Sequence, residues 1–157
     1  MTAPVYFDYA ATTPVEARIV DALPGWLAAD GVFANPSSTH VAGRRAAALV
    51  STAAEQVASV LGCEPGQLVW TSGATESDNL AILGAARYRA ARGRHVITMP
   101  TEHKAVTDAF RQLEREGFDV TWLAPAVNGR LDPDALQQAL RDDTQLVSVM
   151  HVNNETG

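Results

Sequence analysis

From Leu68 onward the chain alternates short apolar runs with stretches of helical period, and few folds accommodate that rhythm. Leu68-Val69-Trp70, ending at Thr71, reads as a strand. His95 to Met99, Asp119 to Ala124 and Leu146 to Val152 read as three more, the last β-rich enough to be buried on both faces. Between them a helix opens near Thr75 and carries Leu80, Leu83 and Tyr88 toward Gly93, and Ala105 to Glu116 sets Val106, Phe110 and Leu113 on one helical face. Asp132-Pro133 opens a further helix, with Asp at the N-cap, Pro at the first helical position, and Leu136 and Leu140 directed inward. Such alternation predicts an α/β fold: a mainly parallel sheet covered by helices.

Upstream the signals are helical. Val5-Tyr6-Phe7 reads as a short strand and Asp8 to Pro14 as a small-residue loop. Val15 to Leu27 carries Val15, Ile19, Leu23 and Trp26 at helical spacing with Glu16 in the first turn, and Pro24-Gly25 is expected to bend or end that helix early. Asn35 to His40 is a loop by composition. From about Arg44, the residues Ala46, Leu49, Val50, Ala53, Val57, Val60 and Leu61 line one helical face, Gly62 supplies the stop, and Cys63 to Gly66 turn the chain.

The 157 residues are one domain's length, and 46% hydrophobic content suffices for a core. A net charge of −6 offers no basic face, which argues against nucleic acid or an anionic membrane as a partner. No leader or bilayer-length apolar run is visible, so a cytoplasmic location is expected. Cys63 is the single cysteine and Lys104 the single lysine, and none of the four histidines has zinc-site spacing, so no metal is expected.

In open α/β sheets, ligands bind beyond the carboxyl ends of the strands. Three such ends carry polar residues: Thr71 to Thr75, Thr101-Glu102-His103-Lys104, and His151-Val152-Asn153-Asn154-Glu155. At the first, unpaired amides and about half a positive charge from the helix dipole suit a phosphate, with the Thr75 hydroxyl as a further donor. Alternatively Thr75 caps its own helix, with Asp78 three residues on. His103 is equally a helix-start histidine satisfied by backbone, and Asn154 a turn residue. Together the three ends match a flat, phosphate-bearing aromatic cofactor: an anion site, a planar group for its ring, and a partner for its ring oxygen.

Five segments also occur in an informative order: Asp8-Tyr9-Ala10-Ala11-Thr12-Thr13-Pro14, Asn35-Pro36-Ser37-Ser38, Thr71 to Asn79, Thr101 to Lys104, and His151 to Gly157. In order and spacing they closely resemble cysteine desulfurases of the NifS/IscS type, in the class V branch of the fold-type-I pyridoxal-phosphate enzymes. The resemblance runs end to end but covers well under half of a family member. It implies that residues 15–157 are the N-terminal part of the large cofactor-binding domain of an incomplete fold-type-I transferase, and that residues 1–14 belong to the small domain. It further implies that Ala74 and Thr75 form the phosphate cup, that His103 stacks on the pyridine ring of pyridoxal 5'-phosphate and moves protons, and that Asn154 lies beside the ring oxygen. The implied activity removes sulfur from L-cysteine, giving L-alanine and an enzyme persulfide that passes to iron-sulfur scaffolds or other sulfur acceptors. The complete protein is implied to be a homodimer.

Pyridoxal chemistry needs a Schiff-base lysine, and desulfuration a cysteine thiolate. Lys104 adjoins His103 at a helix start and is directed about 100° away, so it reads as a surface charge. Cys63 follows a helix C-terminus, away from the strand ends, and reads as half-buried. In the family both nucleophiles, and the aspartate at the pyridine nitrogen, come from later in the chain. The segment alone is therefore expected to be inactive, as a fragment or one half of a split protein. If the strand order follows the family, the strand ending at Thr71 is separated by later strands from the other three, which can pair with one another. Two readings compete: another class V activity, such as selenocysteine lyase or an aminotransferase, or a non-catalytic desulfurase-like interaction module.

Overall fold

The structure, a computed structural model, describes residues 4–156; the expectations touching Met1 to Ala3 and Gly157 lie outside the described residues. The chain divides into two compact units, Met1–Trp70 and Thr71–Gly157.

The second unit is an α/β layer structure. Its strands β1 (His95–Thr98), β2 (Asp119–Trp122) and β3 (Thr144–Val147) form a parallel sheet in the order β2-β1-β3, with α3 (Ala74–Arg89), α4 (Lys104–Arg115) and α5 (Pro133–Ala139) around it. Successive strand residues point to opposite faces, so Val96 and Ile97 enter different cores. Val96 packs with Ile82 and Ala86 of α3, Val106, Phe110 and Leu113 of α4, and Phe118. Ile97 packs with Met99 and Leu123, against which Leu136 and Ala139 of α5 lie. A central strand covered on both faces is why β1 is wholly buried. Phe110 and Leu113 are fully buried, each contributing about 1.5–3 kcal/mol of transfer free energy.

Local chemistry sets the boundaries. Asp132 Oδ1 accepts from the Asp134 amide at 2.9 Å, the expected cap of α5, with Pro133 at the first helical position. Leu140, expected to point inward, lies at the C-cap and is 43% exposed. The last strand is shorter and earlier than its apolar run suggests, Thr144–Val147, and is half-buried, not buried on both faces.

In the first unit, α1 (Ala17–Leu27) begins at Glu16, whose carboxylate caps it from the Arg18 amide, and runs through Pro24 to Leu27. Pro24-Gly25 was expected to bend or end this helix early. The proline removes only the amide that would have reached the Val20 carbonyl, and the Pro24 carbonyl still accepts from Ala28 at 2.9 Å. Helix α2 (Val41–Leu61) starts three residues before its predicted onset because His40 Nδ1 caps it, accepting from the Gly43 amide at 3.2 Å. It ends, as predicted, on left-handed Gly62 (φ 69°). A Cβ on Gly43 would stand 2.2 Å from the Ser38 carbonyl oxygen, so the Asn35 to Ser38 loop lies directly on the first turn of α2.

Two predicted strands do not form. Val5 to Phe7 and Leu68 to Trp70 carry no ladder hydrogen bonds, and Phe7 and Val69 are 89% and 69% exposed. Apolar composition favours a strand, but a strand exists only when paired, and neither segment belongs to the sheet β2-β1-β3. The predicted apolar face of α2 is likewise uncovered: of its residues Ala46 is buried, while Leu49, Val50, Val60 and Leu61 are exposed.

Candidate functional site

Helix α3 opens without a side-chain cap. Gly73 stands at its N-cap in extended backbone, and Ala74 and Thr75 are its first two residues. Thr75 is therefore inside the helix and is not its cap. The turn is braced from elsewhere: Glu76 Oε2 accepts from the Ser72 amide at 2.7 Å and from the Ser72 hydroxyl at 2.6 Å. Those bonds, the hydroxyl's first, hold the Glu76 carboxyl below its ordinary range. The Thr71 hydroxyl donates to the Gly73 carbonyl at 3.1 Å and lies 2.7 Å from Ser77 Oγ. Ala74 and Thr75 are exposed, and their amides, at the positive end of the helix dipole, form a place for an anion.

The loop leaving β1 delivers His103 to the N-cap of α4. Its Nδ1 accepts from the Ala105 amide at 3.2 Å while the ring stays exposed. With Nδ1 engaged as acceptor, the proton of the neutral ring is carried on Nε2. Lys104 points elsewhere, as expected: its Nζ pairs with Asp108 one turn along α4, and its side chain is 77% exposed. Glu102, half-buried, turns inward, and its Oε1 accepts from the Met150 amide at 2.6 Å. Burial pushes the Glu102 carboxyl above its ordinary range and the Asp78 carboxylate adds to this, while the Met150 bond opposes it. Asp78 of α3, the β1 exit and the β3 exit thus meet at one end of the sheet.

Beyond β3, Asn153 Nδ2 donates to the Thr101 carbonyl at 2.8 Å, and its Oδ1 accepts from the amides of Glu155 and Thr156 at 2.8 and 3.0 Å. Asn154, the residue singled out from the sequence, is exposed and donates from Nδ2 to Glu155 Oε1 at 2.8 Å. A cavity of about 820 Å³ opens at this end, lined by Met99, Thr101, Arg130, Met150, His151 and Asn153, among others. Ala74, Thr75, His103 and Asn154 are not among its walls. The four predicted residues stand at the strand-exit end, outside this cavity.

Residues 5–157 match the model of the family described as Aminotransferase class-V. The chain belongs to that family. This class-V chain is 54% identical over 158 residues to the cysteine desulfurase IscS of Photorhabdus laumondii, and 55% identical to that of Salmonella arizonae, covering all of this chain and 39% of each relative. Among solved structures it is similar to a NifS-like protein (37% identity, TM-score 0.93, 98% of this chain and 42% of that one) and to SspA in complex with cysteine (42% identity, TM-score 0.88, 96% and 43%). The chain spans about two fifths of the length of the relatives it matches.

For a class-V chain two positions gain interest that residue type alone did not give them, Glu102 and Asn153. Both stand inside segments named from the sequence, yet their immediate neighbours drew the attention. Their partners lie 48 and 52 residues away, so no local signal marked them. Cys63 is half-buried in the first unit, as read. Among the described residues no group of three or more His, Cys, Asp or Glu is arranged to hold a metal ion, and no helix is long and apolar enough to cross a membrane.

Proposed function

We propose that this chain is the N-terminal part of a cytoplasmic, pyridoxal-phosphate-dependent cysteine desulfurase, inactive alone, whose complete homodimeric form takes sulfur from L-cysteine for iron-sulfur scaffolds or other acceptors. The observation that carries the reading is the uncapped start of α3 at the end of the sheet where Glu102 and Asn153 tie together the loops bearing His103 and Asn154. The names of its relatives, and SspA's structure with cysteine, favour a cysteine substrate.

The residues present fit the phosphate end of the cofactor. The Ala74 and Thr75 amides and the Thr75 hydroxyl would hold that group, with the dipole opposing its charge. His103 presents an exposed ring face, anchored through Nδ1, and Nε2 is the atom left to hold or move a proton. Asn154 Nδ2, now on the Glu155 carboxylate, is the donor available to a ring oxygen. The cofactor, when bound, supplies an electron sink for the substrate. Lys104, held by Asp108 on the far side of the helix start, is no anchor for it, so the covalent attachment comes from residues other than these.

The test is the complete enzyme assayed for sulfide and alanine from L-cysteine. Activity lost on His103→Ala with cofactor content retained supports the reading; unchanged activity removes His103 from the mechanism. Release from selenocysteine alone would assign the protein to the competing lyase.

A further inference from the structure

Two side chains that the proposed chemistry leaves unused tie its loops together. Glu102 crosses from the β1 exit to the β3 exit, where its Oε1 accepts from the Met150 amide at 2.6 Å, and Asn153 crosses back, where its Nδ2 donates to the Thr101 carbonyl at 2.8 Å. Both bonds are partly buried, and both flank the residues of interest: Thr101 and Glu102 immediately precede His103, and Asn153 immediately precedes Asn154. Asn153 is committed through its other end as well, since its Oδ1 closes the turn at Glu155 and Thr156 and its Nδ2 also lies 3.1 Å from Met150 Sδ.

The Thr98 hydroxyl, donating to the Ser148 carbonyl at 3.0 Å, and the Ser148 amide, donating to the Ile97 carbonyl at 3.0 Å, join the strand ends just before these loops, and the crossed pair carries the connection on to the residues beside His103 and Asn154. His103 and Asn154 are themselves exposed, and each has its own side-chain bond only to a residue within two positions. Beyond Ser148, the side-chain bonds between the two loops, among the described residues, are those of the crossed pair.

We propose that Glu102 and Asn153 are positioning residues, a crossed staple that sets His103 against Asn154 for the reaction. The proposal rests on the desulfurase reading, and the experiment separates the two. A displacement of about 1 Å in a reacting group can cost on the order of a hundredfold in rate, so loosening the staple acts on turnover before it acts on binding.

In the complete holoenzyme, Glu102→Ala and Asn153→Ala are each expected to lower kcat per cofactor-loaded site by about tenfold or more. The KM for L-cysteine and the cofactor content should change by less than about twofold. Glu102→Gln keeps an oxygen that accepts from the Met150 amide and is expected to recover kcat to within about threefold of the parent. A role in stability alone would lower the yield and Tm of these variants while leaving turnover per loaded site intact, and that result would overturn the proposal. So would a Glu102→Gln variant as slow as Glu102→Ala, since the carboxylate charge rather than the crossing bond would then matter. Should Glu102→Ala not fold, Asn153→Ala and Glu102→Gln decide by the same criteria. The parent and His103→Ala are measured in parallel: if His103→Ala is inactive while Glu102→Ala and Asn153→Ala turn over normally, the staple fails alone, and if the parent itself releases no sulfur from L-cysteine the desulfurase reading fails first.

Discussion

The two units use their apolar residues in opposite ways. In Thr71–Gly157, a three-stranded sheet has α3 and α4 on one face and α5 on the other, and Val96, Ile97, Phe110 and Leu113 are fully buried. In Met1–Trp70, Ala46 and Ala58 are the only buried apolar side chains among the described residues, while Trp26, Phe33, Leu49 and Trp70 face outward. The first unit is no poorer in helix: α2, its longest element, runs 21 residues. It differs in what its faces meet, which shows that helical order and a closed core are separable properties of one chain.

Truncation should expose that difference most strongly. Phe110→Ala, at a fully buried site that meets the Trp122 ring edge-on at 6.2 Å between centroids, is expected to destabilise the second unit by about 3–5 kcal/mol, read by denaturant titration. A loss under about 1 kcal/mol would mean the core is looser than drawn. Leu49→Ala, at a residue 46% exposed in α2, should cost about 1 kcal/mol or less in the same measurement. A cost matching that of Phe110→Ala would show that the first unit's apolar face is covered in solution.

A pH effect sharpens the contrast from the second unit's side. His95 is fully buried, its Nδ1 2.7 Å from Thr144 Oγ1 and its Nε2 2.8 Å from Thr121 Oγ1, so one ring pins all three strands. Each threonine hydroxyl can donate or accept, so the two serve the neutral ring in either tautomer. Burial depresses the His95 pKa below 6.5 and the Arg141 charge adds to this, against opposing carboxylates of Asp119 and Asp143. Because the folded value is depressed, the unfolded chain binds the proton first. Stability is therefore full above about pH 6.5 and falls, by up to about 1.4 kcal/mol per pH unit, as pH drops toward the folded pKa. His95→Gln should flatten that acid slope in urea titrations between pH 7 and 5; an unchanged slope would assign it elsewhere.

The smallest effect is at the surface. Arg87 of α3 meets Glu116 beyond α4 in a two-pronged pair, at 3.0 and 2.6 Å, and its hydrogen bond, with that of Gln112, lowers the Glu116 pKa to about 2. Arg87→Ala should return that pKa toward 4.5, visible by NMR titration, with little change in stability. A carboxyl still titrating near 2 would assign the shift to Gln112 and the Arg94 charge.

What could be read from the sequence follows the same division. Elements whose signal and partner are both local were legible: α4, β1 and β2 fall within a residue or two of their predicted limits, and Asp132 and Gly62 do what their residue types dictate. Val5 to Phe7 and Leu68 to Trp70 look like strands by composition, but pairing is a long-range property that composition does not carry. His40 escaped notice as a cap because imidazole seldom serves as one. At the site, the helix start carrying His103 was legible from the strand end before it, whereas Ala74 and Thr75 open a helix that has neither the Thr75 cap nor the preceding strand that the residue types suggest. The bonds from Glu102 to Met150 and from Asn153 to Thr101 were not legible, because each joins residues about fifty apart.

The central claim is that the start of α3 takes the phosphate of pyridoxal 5'-phosphate at the end of the sheet where His103 stands. Amide NMR of the chain during titration with that compound, with unphosphorylated pyridoxal as control, tests it most directly. Saturable shifts led by Ala74, Thr75 and Glu76 and extending to His103, absent with the control, are the predicted result. Shifts confined to other residues, or equal with the control, would contradict the account.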